Sequence, residues 1–198
     1  MDKHEKIHDI IQSVDQHIWI VTASGPDGRR GGLVATWVTT NSIDADHPTM
    51  MIALARNHFT AELIDASKSF ALHLLKESQF EVALNFAIGS GRDRDKLANL
   101  ESTSGQSGSP ILKRCDSWMD CQVTARLEAA DRIYYWADVT DGARREIHEE
   151  RLLTKTGLIR NASMKQRGQL RANLEQDIEI QRPMIEEWLA NLPDYLQP

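Results

Sequence analysis

The chain predicts a mostly β fold with peripheral helices, an α+β domain built on antiparallel strands. Three observations carry that expectation. Between Gly31 and Leu75 lie three apolar runs, Gly32–Thr40, Met50–Ala55 and Phe70–Leu75, rich in the Val, Ile, Thr, Trp and Phe that suit a pleated surface. Short turn sequences, Pro26-Asp27-Gly28 and Ala130-Asp131-Arg132, join neighbouring runs as hairpins. Helical periodicity is concentrated toward the two ends. A length of 198 residues fits one domain with a sizeable core.

Taken in order, Ile7, Ile10, Ile11 and Val14 fall on one stripe of a helix spanning residues 3–14. That helix contains His4-Glu5-Lys6-Ile7-His8, a match to the zinc-protease pattern H-E-x-x-H. It lies at a fraying terminus with no third ligand at the spacing of the longer signature, so a chance match on a solvated face is the better reading. Ile18–Ala23 reads as the first strand and Gly32–Thr40 as its hairpin partner. After Met50–Ala55 comes Arg56-Asn57-His58-Phe59-Thr60, then a short helix over Ala61–Ala66, then the strand Phe70–Leu75. Ser78 and Glu81 make a capping box for a helix that runs to Ala87 and stops at Gly89. Gly89 to Ser109 should be a long loop, in which Ser90-Gly91-Arg92 either touches a cofactor phosphate or a dimer partner, or is simply solvated. Asp120–Ala129 and Ile133–Asp138 are two more strands, with Val123, Ala125 and Leu127 alternating as one-sided burial demands. In the tail, Ser163 and Gln166 form a second capping box ahead of Leu170, Leu174 and Ile178. Pro183 then opens another helix, ending near residue 192, whose Met184, Ile185, Trp188, Leu189 and Leu192 pack on this chain or on a second subunit.

A net charge of −6, with no basic block, argues against nucleic-acid binding. There is no 18-residue apolar run and no signal-peptide core, so a cytoplasmic protein without a membrane segment is expected. Cys115 and Cys121 are too few for a disulfide framework and read as reduced structural residues. No phosphate-cradling GxxxxGK[ST] loop, GxGxxG fingerprint or serine nucleophile elbow occurs.

The densest local chemistry is at Arg56–Thr60, where a cation, an amide, an imidazole and a hydroxyl gather at the start of a helix. Unpaired N–H groups and the helix dipole suit a phosphate there. An Asn57 N-cap with a solvated Arg56 is the alternative from local pattern.

The ordered series LVATWVTTNSI, HPTMMIAL, the run into Phe70–Leu75, Gln79–Ala87, Ser90-Gly91-Arg92 with Asp95-Lys96, and the strands near Cys121–Val139 resembles the flavin reductase-like family. The resemblance implies an antiparallel split β-barrel of the FMN-binding type over about residues 16–150, within a single domain covering 1–198, and a homodimer. It places the flavin ring along Thr36, Trp37, Val38 and Thr39, with Asn41 and Ser42 just beyond, although relatives often carry Asn-Ser where this chain has Val38-Thr39. Trp37 could instead be a plain core aromatic. The phosphate falls on Arg56, Asn57, His58 and Thr60, with Arg92 nearby. His73, where relatives often have Asn, is either a cofactor contact or a satisfied core histidine.

The implied activity is a flavin reductase, an NAD(P)H:flavin oxidoreductase in which NADH or NADPH reduces bound FMN and electrons pass on, with an electron-accepting protein as a candidate partner. No catalytic side chain is required, because the flavin carries the chemistry. A non-enzymatic FMN electron carrier is the alternative. A pyridoxamine-phosphate oxidase-like or haem-handling protein on the same barrel fits the Arg56–Thr60 pattern less well.

Overall fold

The structure, a computed structural model, describes residues 2–145, 150–192, 196 and 197; residues 146–149, within the expected barrel span, lie outside those described. Nine strands are seen among these residues: β1 (Trp19–Ser24), β2 (Arg30–Ala35), β3 (Val38–Thr40), β4 (Thr49–Ala55), β5 (Ser69–Leu74), β6 (Ser102–Ser104), β7 (Pro110–Leu112), β8 (Ser117–Ala129) and β9 (Arg132–Arg144). Seven of them form one sheet in the order β2-β1-β5-β8-β9-β4-β3, and β6 and β7 make a separate hairpin. Neighbouring strands in the main sheet are antiparallel throughout. The sheet curls into a half-barrel, the split-barrel architecture that the resemblance implies.

The expected single strand Gly32–Thr40 is two strands on opposite edges of this sheet. Ala35 is the last residue to face β1, opposite Trp19. After Thr36 and Trp37 the chain changes partner, and Val38 faces Ile52 of β4. The Ala53 amide donates to the Trp37 carbonyl at 3.0 Å and fixes the crossing point. The two sheet edges are therefore only two residues apart in the chain.

Burial follows from this curl. Val21, Ile52, Leu54, Phe70, Leu72 and Tyr135 fill the barrel, closed by Phe59, Leu63 and Ile64 of helix α2 (Phe59–Ser67). Ile18 and Ile20 point the other way, into a second core with Phe86, Leu97, Leu112 and Leu153. β1 is thus covered on both faces, which is why IWIVTA is apolar but for Thr22, whose hydroxyl donates to the Pro110 carbonyl. Cys115 and Cys121 are buried free thiols.

The helices depart from expectation in instructive ways. α1 (Lys3–Gln12) forms, but it buries no residue, and Ile10 remains 68% exposed. α2 begins at Phe59 with His58 as its N-cap, so Asn57 is not the cap. The Ser78–Glu81 box does not form: Ser78 N donates to Glu150, a 3-10 turn spans Glu77–Gln79, and α3 runs Phe80–Ala87. Gly89 ends it at φ +75°, as expected. α4 (Lys155–Asn161) was not foreseen. α5 (Met164–Ala190) opens on the expected Ser163–Gln166 capping box but runs straight through Pro183. Proline removes one helical hydrogen bond there without ending the helix. On β8 the expected alternation is lost beyond a bulge at Val123/Ala125, where Ala125 and Leu127 are exposed.

Candidate functional site

Two concavities flank the point where the sheet edges meet. The first, of about 420 Å³, is lined by Trp19, Thr36, Val38, Thr39, Met50 and Met119 at the mouth of the barrel. Its wall is the β2–β3 crossing. The second is a groove of about 730 Å³ between β2, the start of α2, the loop after α3, and α5. Leu33, Phe59 and Phe86 give it an apolar floor, while Asn57, His58 and Arg92 are polar groups on its rim. Ala53 faces the Trp37 carbonyl, and Arg56 is three residues further along the chain, about 10 Å at strand rise. The two expected halves of the site are thus offset along one strand.

Most of the expected residues gather here. Thr36, Val38 and Thr39 line the barrel mouth. Trp37 points elsewhere: it is 49% exposed, with the Arg132 guanidinium 4.6 Å above its ring, so it is not a core aromatic. Asn41 and Ser42 lie at the end of the β3–β4 hairpin, where Asn41 N donates to Thr49 O and Ser42 Oγ accepts from Asp44 N; neither lines either of these two concavities.

At the start of α2, Asn57, His58 and the buried Thr60 line the groove, and no side chain caps the helix. Arg56 does not line it. Its guanidinium turns to Glu128 at 3.3 Å and to the Ala130 carbonyl at 3.4 Å. Arg92 takes the cationic place instead, donating to the Asn57 carbonyl at 3.0 Å, pairing with Glu62 and lying over the Phe59 ring. His73 is fully buried in β5: Nδ1 donates to the Ile20 carbonyl at 3.2 Å and Nε2 accepts from Leu112 N at 3.1 Å. Both nitrogens are used by backbone, which makes it the core histidine of the two readings. Burial pushes its pKa down to about 4.

Two polar groups of the groove are not among the expected site residues. Lys96, only 5% exposed, donates to the Phe86 carbonyl at 2.6 Å; burial first, then the Arg94 charge, brings its pKa down to about 8. Asp177 of α5 accepts from Asn57 Nδ2 and pairs with His58 Nε2, each at 3.4 Å. Burial opposes its charge, but the bonds from His58 and Asn57 and the Arg132 charge together hold its carboxyl below the usual value. The Asp95-Lys96 dipeptide was a usable signal for the first. Nothing local in the sequence marks the second.

These residues fit the flavin that the resemblance implies. An uncapped helix start beside Arg92 suits an anionic end, and the open edge at Thr36–Thr39 suits a flat ring with polar rims. At that helix start, Asn57 Oδ1 and His58 Nδ1 are buried atoms with no partner among the described residues.

Comparison with known proteins agrees. The model of the flavin reductase like domain matches residues 11–163. Diflavin flavoprotein A 1 of Synechocystis is 25% identical over 126 residues, 63% of this chain and 22% of that protein. A flavin reductase of Pseudomonas putida is 29% identical over 111 residues, 56% of this chain and 62% of that one. The chain spans less than two thirds of the length of these curated relatives. Among solved structures, the NADH:FAD oxidoreductase of Streptomyces globisporus superposes with a TM-score of 0.67 at 19% identity, over 78% of this chain and 91% of that one. With well over half its length matched by that family and a half-barrel that such solved proteins share, the chain belongs to the flavin reductase-like domain family.

Proposed function

We propose that the protein is an FMN-binding flavin reductase, an NAD(P)H:flavin oxidoreductase. The observation that carries this reading is the meeting of the Thr36–Thr39 edge with the uncapped α2 start on one strand, in a chain of this family. Backbone N–H groups on the unpaired side of β3 would hold the polar rim of the ring, and Thr36 and Thr39 would add hydroxyls. Thr60, the α2 amides and Arg92 would hold the phosphate. Bound FMN would supply the hydride-accepting centre, with NADH or NADPH as reductant. The chain's share is orientation and exclusion of water: the apolar floor of Leu33, Phe59 and Phe86 keeps the groove dry.

The test is an absorption spectrum of the purified protein with FMN, then anaerobic addition of NADH and, separately, NADPH. A flavin spectrum at about one FMN per chain that bleaches with either nucleotide is expected. A chain that shifts no flavin spectrum refutes the proposal. A second reading, a carrier that receives electrons from a protein partner, is favoured by the match to a short part of a much longer diflavin flavoprotein. Failure to consume NAD(P)H with excess free FMN, despite binding it, would select that reading. No helix among the described residues is long and apolar enough to cross a membrane, in keeping with the cytoplasmic location we propose.

A further inference from the structure

Where the chain changes sheet edges, the barrel wall opens, and two polar side chains stand on the far lip of the opening. Ala35 is the last residue of β2 to face β1, opposite Trp19. Gln16, His17 and Ile18 therefore continue β1 backward with no strand pairing on that side among the described residues. Their other side is tied to the segment ahead of α4: Ile18 N donates to the Leu153 carbonyl and Lys155 N to the Gln16 carbonyl, both at 2.9 Å. Strand alternation then decides what faces the opening. Ile18 and Ile20 point into the second core. Val21, Trp19 and His17 form the opposite row, with Val21 in the barrel core, Trp19 half-buried at its mouth and His17 exposed at the rim. Gln16, half-buried, lines the same concavity of about 420 Å³.

The chemistry of that lip selects one part of a ligand. No Lys, Arg, Asp or Glu lines the concavity, so it suits an uncharged group and not a phosphate. Trp19, Met50 and Met119 supply apolar walls for a flat ring. The Thr36–Thr39 edge opposite is taken by the flavin in the reading above. Gln16 and His17 are left over, and no hydrogen bond holds either side chain among the described residues. Asp15, the carboxylate that faces His17, is itself engaged by the Thr156 amide at 2.9 Å and by the Thr154 and Thr156 hydroxyls. An imidazole offers a ring N–H in either tautomer and as the cation, and the Gln16 amide oxygen is an acceptor. A donor beside an acceptor, at the edge of an apolar wall, fits a planar primary carboxamide with its C=O and NH2. The reduced nicotinamide of NADH or NADPH is flat, uncharged and carries that group.

We propose that Gln16 and His17 form a carboxamide-binding lip that seats the nicotinamide of the reductant against the flavin ring. His17 donates a ring N–H to the carboxamide carbonyl, and Gln16 Oε1 accepts from its NH2. The proposal rests on the reductase reading above, adds the place of its reductant, and leaves the flavin contacts as they are. Both residues bind the reductant, and neither transfers a proton or a hydride.

Gln16→Leu and His17→Phe test it, since backbone hydrogen bonds hold this segment and both variants keep them. Each FMN-loaded protein is mixed anaerobically with whichever of NADH and NADPH bleaches wild type faster, and with the 3-acetylpyridine counterpart of that nucleotide, which keeps the carbonyl and lacks the NH2. Bleaching of the flavin gives a half-saturation concentration and a limiting rate for each. The tetrahydro form of the same nucleotide, which cannot give up a hydride, reports binding alone through the flavin absorption. Both variants should raise the half-saturation concentration and the Kd of the tetrahydro form roughly threefold to tenfold, the scale of one neutral hydrogen bond. The limiting rate should hardly change, as when binding common to ground and transition state is removed. Wild type and His17→Phe should prefer the carboxamide to the acetyl nucleotide by a similar factor, and Gln16→Leu should show no preference. FMN affinity should be unchanged in both variants. An unchanged half-saturation concentration in either variant, or a carboxamide preference that persists in Gln16→Leu, overturns the proposal. So does a loss of FMN affinity, which would move these side chains onto the flavin. Wild type that binds FMN yet is bleached by neither NADH nor NADPH removes the reductase reading itself, a result distinct from any of these.

Discussion

At the scale of single residues, the two arginines near α2 have exchanged the roles their positions suggest. Arg56 directly precedes the helix, yet its guanidinium is occupied outside the groove by Glu128 and the Ala130 carbonyl. Arg92 arrives from a loop and lies on the groove. Arg92→Ala should therefore lower FMN affinity by roughly 10- to 150-fold, the scale of a charge-assisted bond, and change riboflavin affinity little. Arg56→Ala breaks an exposed pair worth at most about 1 kcal/mol, and a flavin titration should show FMN binding within about threefold of wild type. His73 makes a separate prediction. The unfolded chain takes up a proton near the ordinary imidazole value of 6.5, whereas the folded, buried His73 stays neutral down to about 4. The folded state binds fewer protons through that window, so the stability present above pH 6.5 is lost as pH falls toward 4, on the order of 3 kcal/mol in all. Urea unfolding at pH 7 and pH 5 should show this loss in wild type. His73→Gln should be less stable at pH 7, with a smaller drop between the two.

At the scale of elements, close packing of β2 is an exacting local demand. A Cβ built on Gly32 would lie 2.7 Å from the Val21 carbonyl oxygen and 2.7 Å from the Phe86 ring. The ring could shift, but the carbonyl belongs to the neighbouring strand. Gly32→Ala should destabilise by about 1–3 kcal/mol, lowering the urea midpoint with an unchanged slope. Elements of this kind explain what could be read in advance. The β runs, the Ser163–Gln166 cap and the Gly89 stop were legible because each is written within a few residues. The break at Thr36-Trp37 was not, since both are good strand residues and only the change of partner from β1 to β4 interrupts pairing. Pro183 misled because its preference for a helix start is statistical, and an established helix can pass through it. Asp177 was invisible for a different reason: its partners Asn57 and His58 are about 120 residues away, and only the course of α5 brings them together.

At the scale of the whole molecule, apolar surface is left over. Ile10 and Ile11 of α1, and Leu174, Ile185 and Leu189 of α5, are all well exposed, Leu189 at 62%. Burying such side chains is worth roughly 1.5–3 kcal/mol each when complete, and of the C-terminal stripe Met184, Trp188 and Leu192 are half-buried while Ile185 and Leu189 stay exposed. We predict a homodimer through these helices. Light scattering at micromolar concentration should give twice the 22.4 kDa chain mass, and Leu189→Glu with Ile185→Glu should shift it to monomer; wild-type protein that scatters as a monomer contradicts the prediction.

β9 has a consequence for how the protein is made. It lies between β8 and β4, pairing with both, yet it is the last strand of the main sheet to leave the ribosome. Until residue 144 has emerged, β4 has only the three-residue β3 beside it, and β8 has only β5. The nascent chain therefore carries an unfinished strand edge at β4 from the emergence of Ala55 until that of β9, joined by a second at β8 just before β9 emerges, the kind of surface that recruits other chains. A ribosome stalled before Arg132 should display a sticky half-sheet, and one stalled after α4 a closed one.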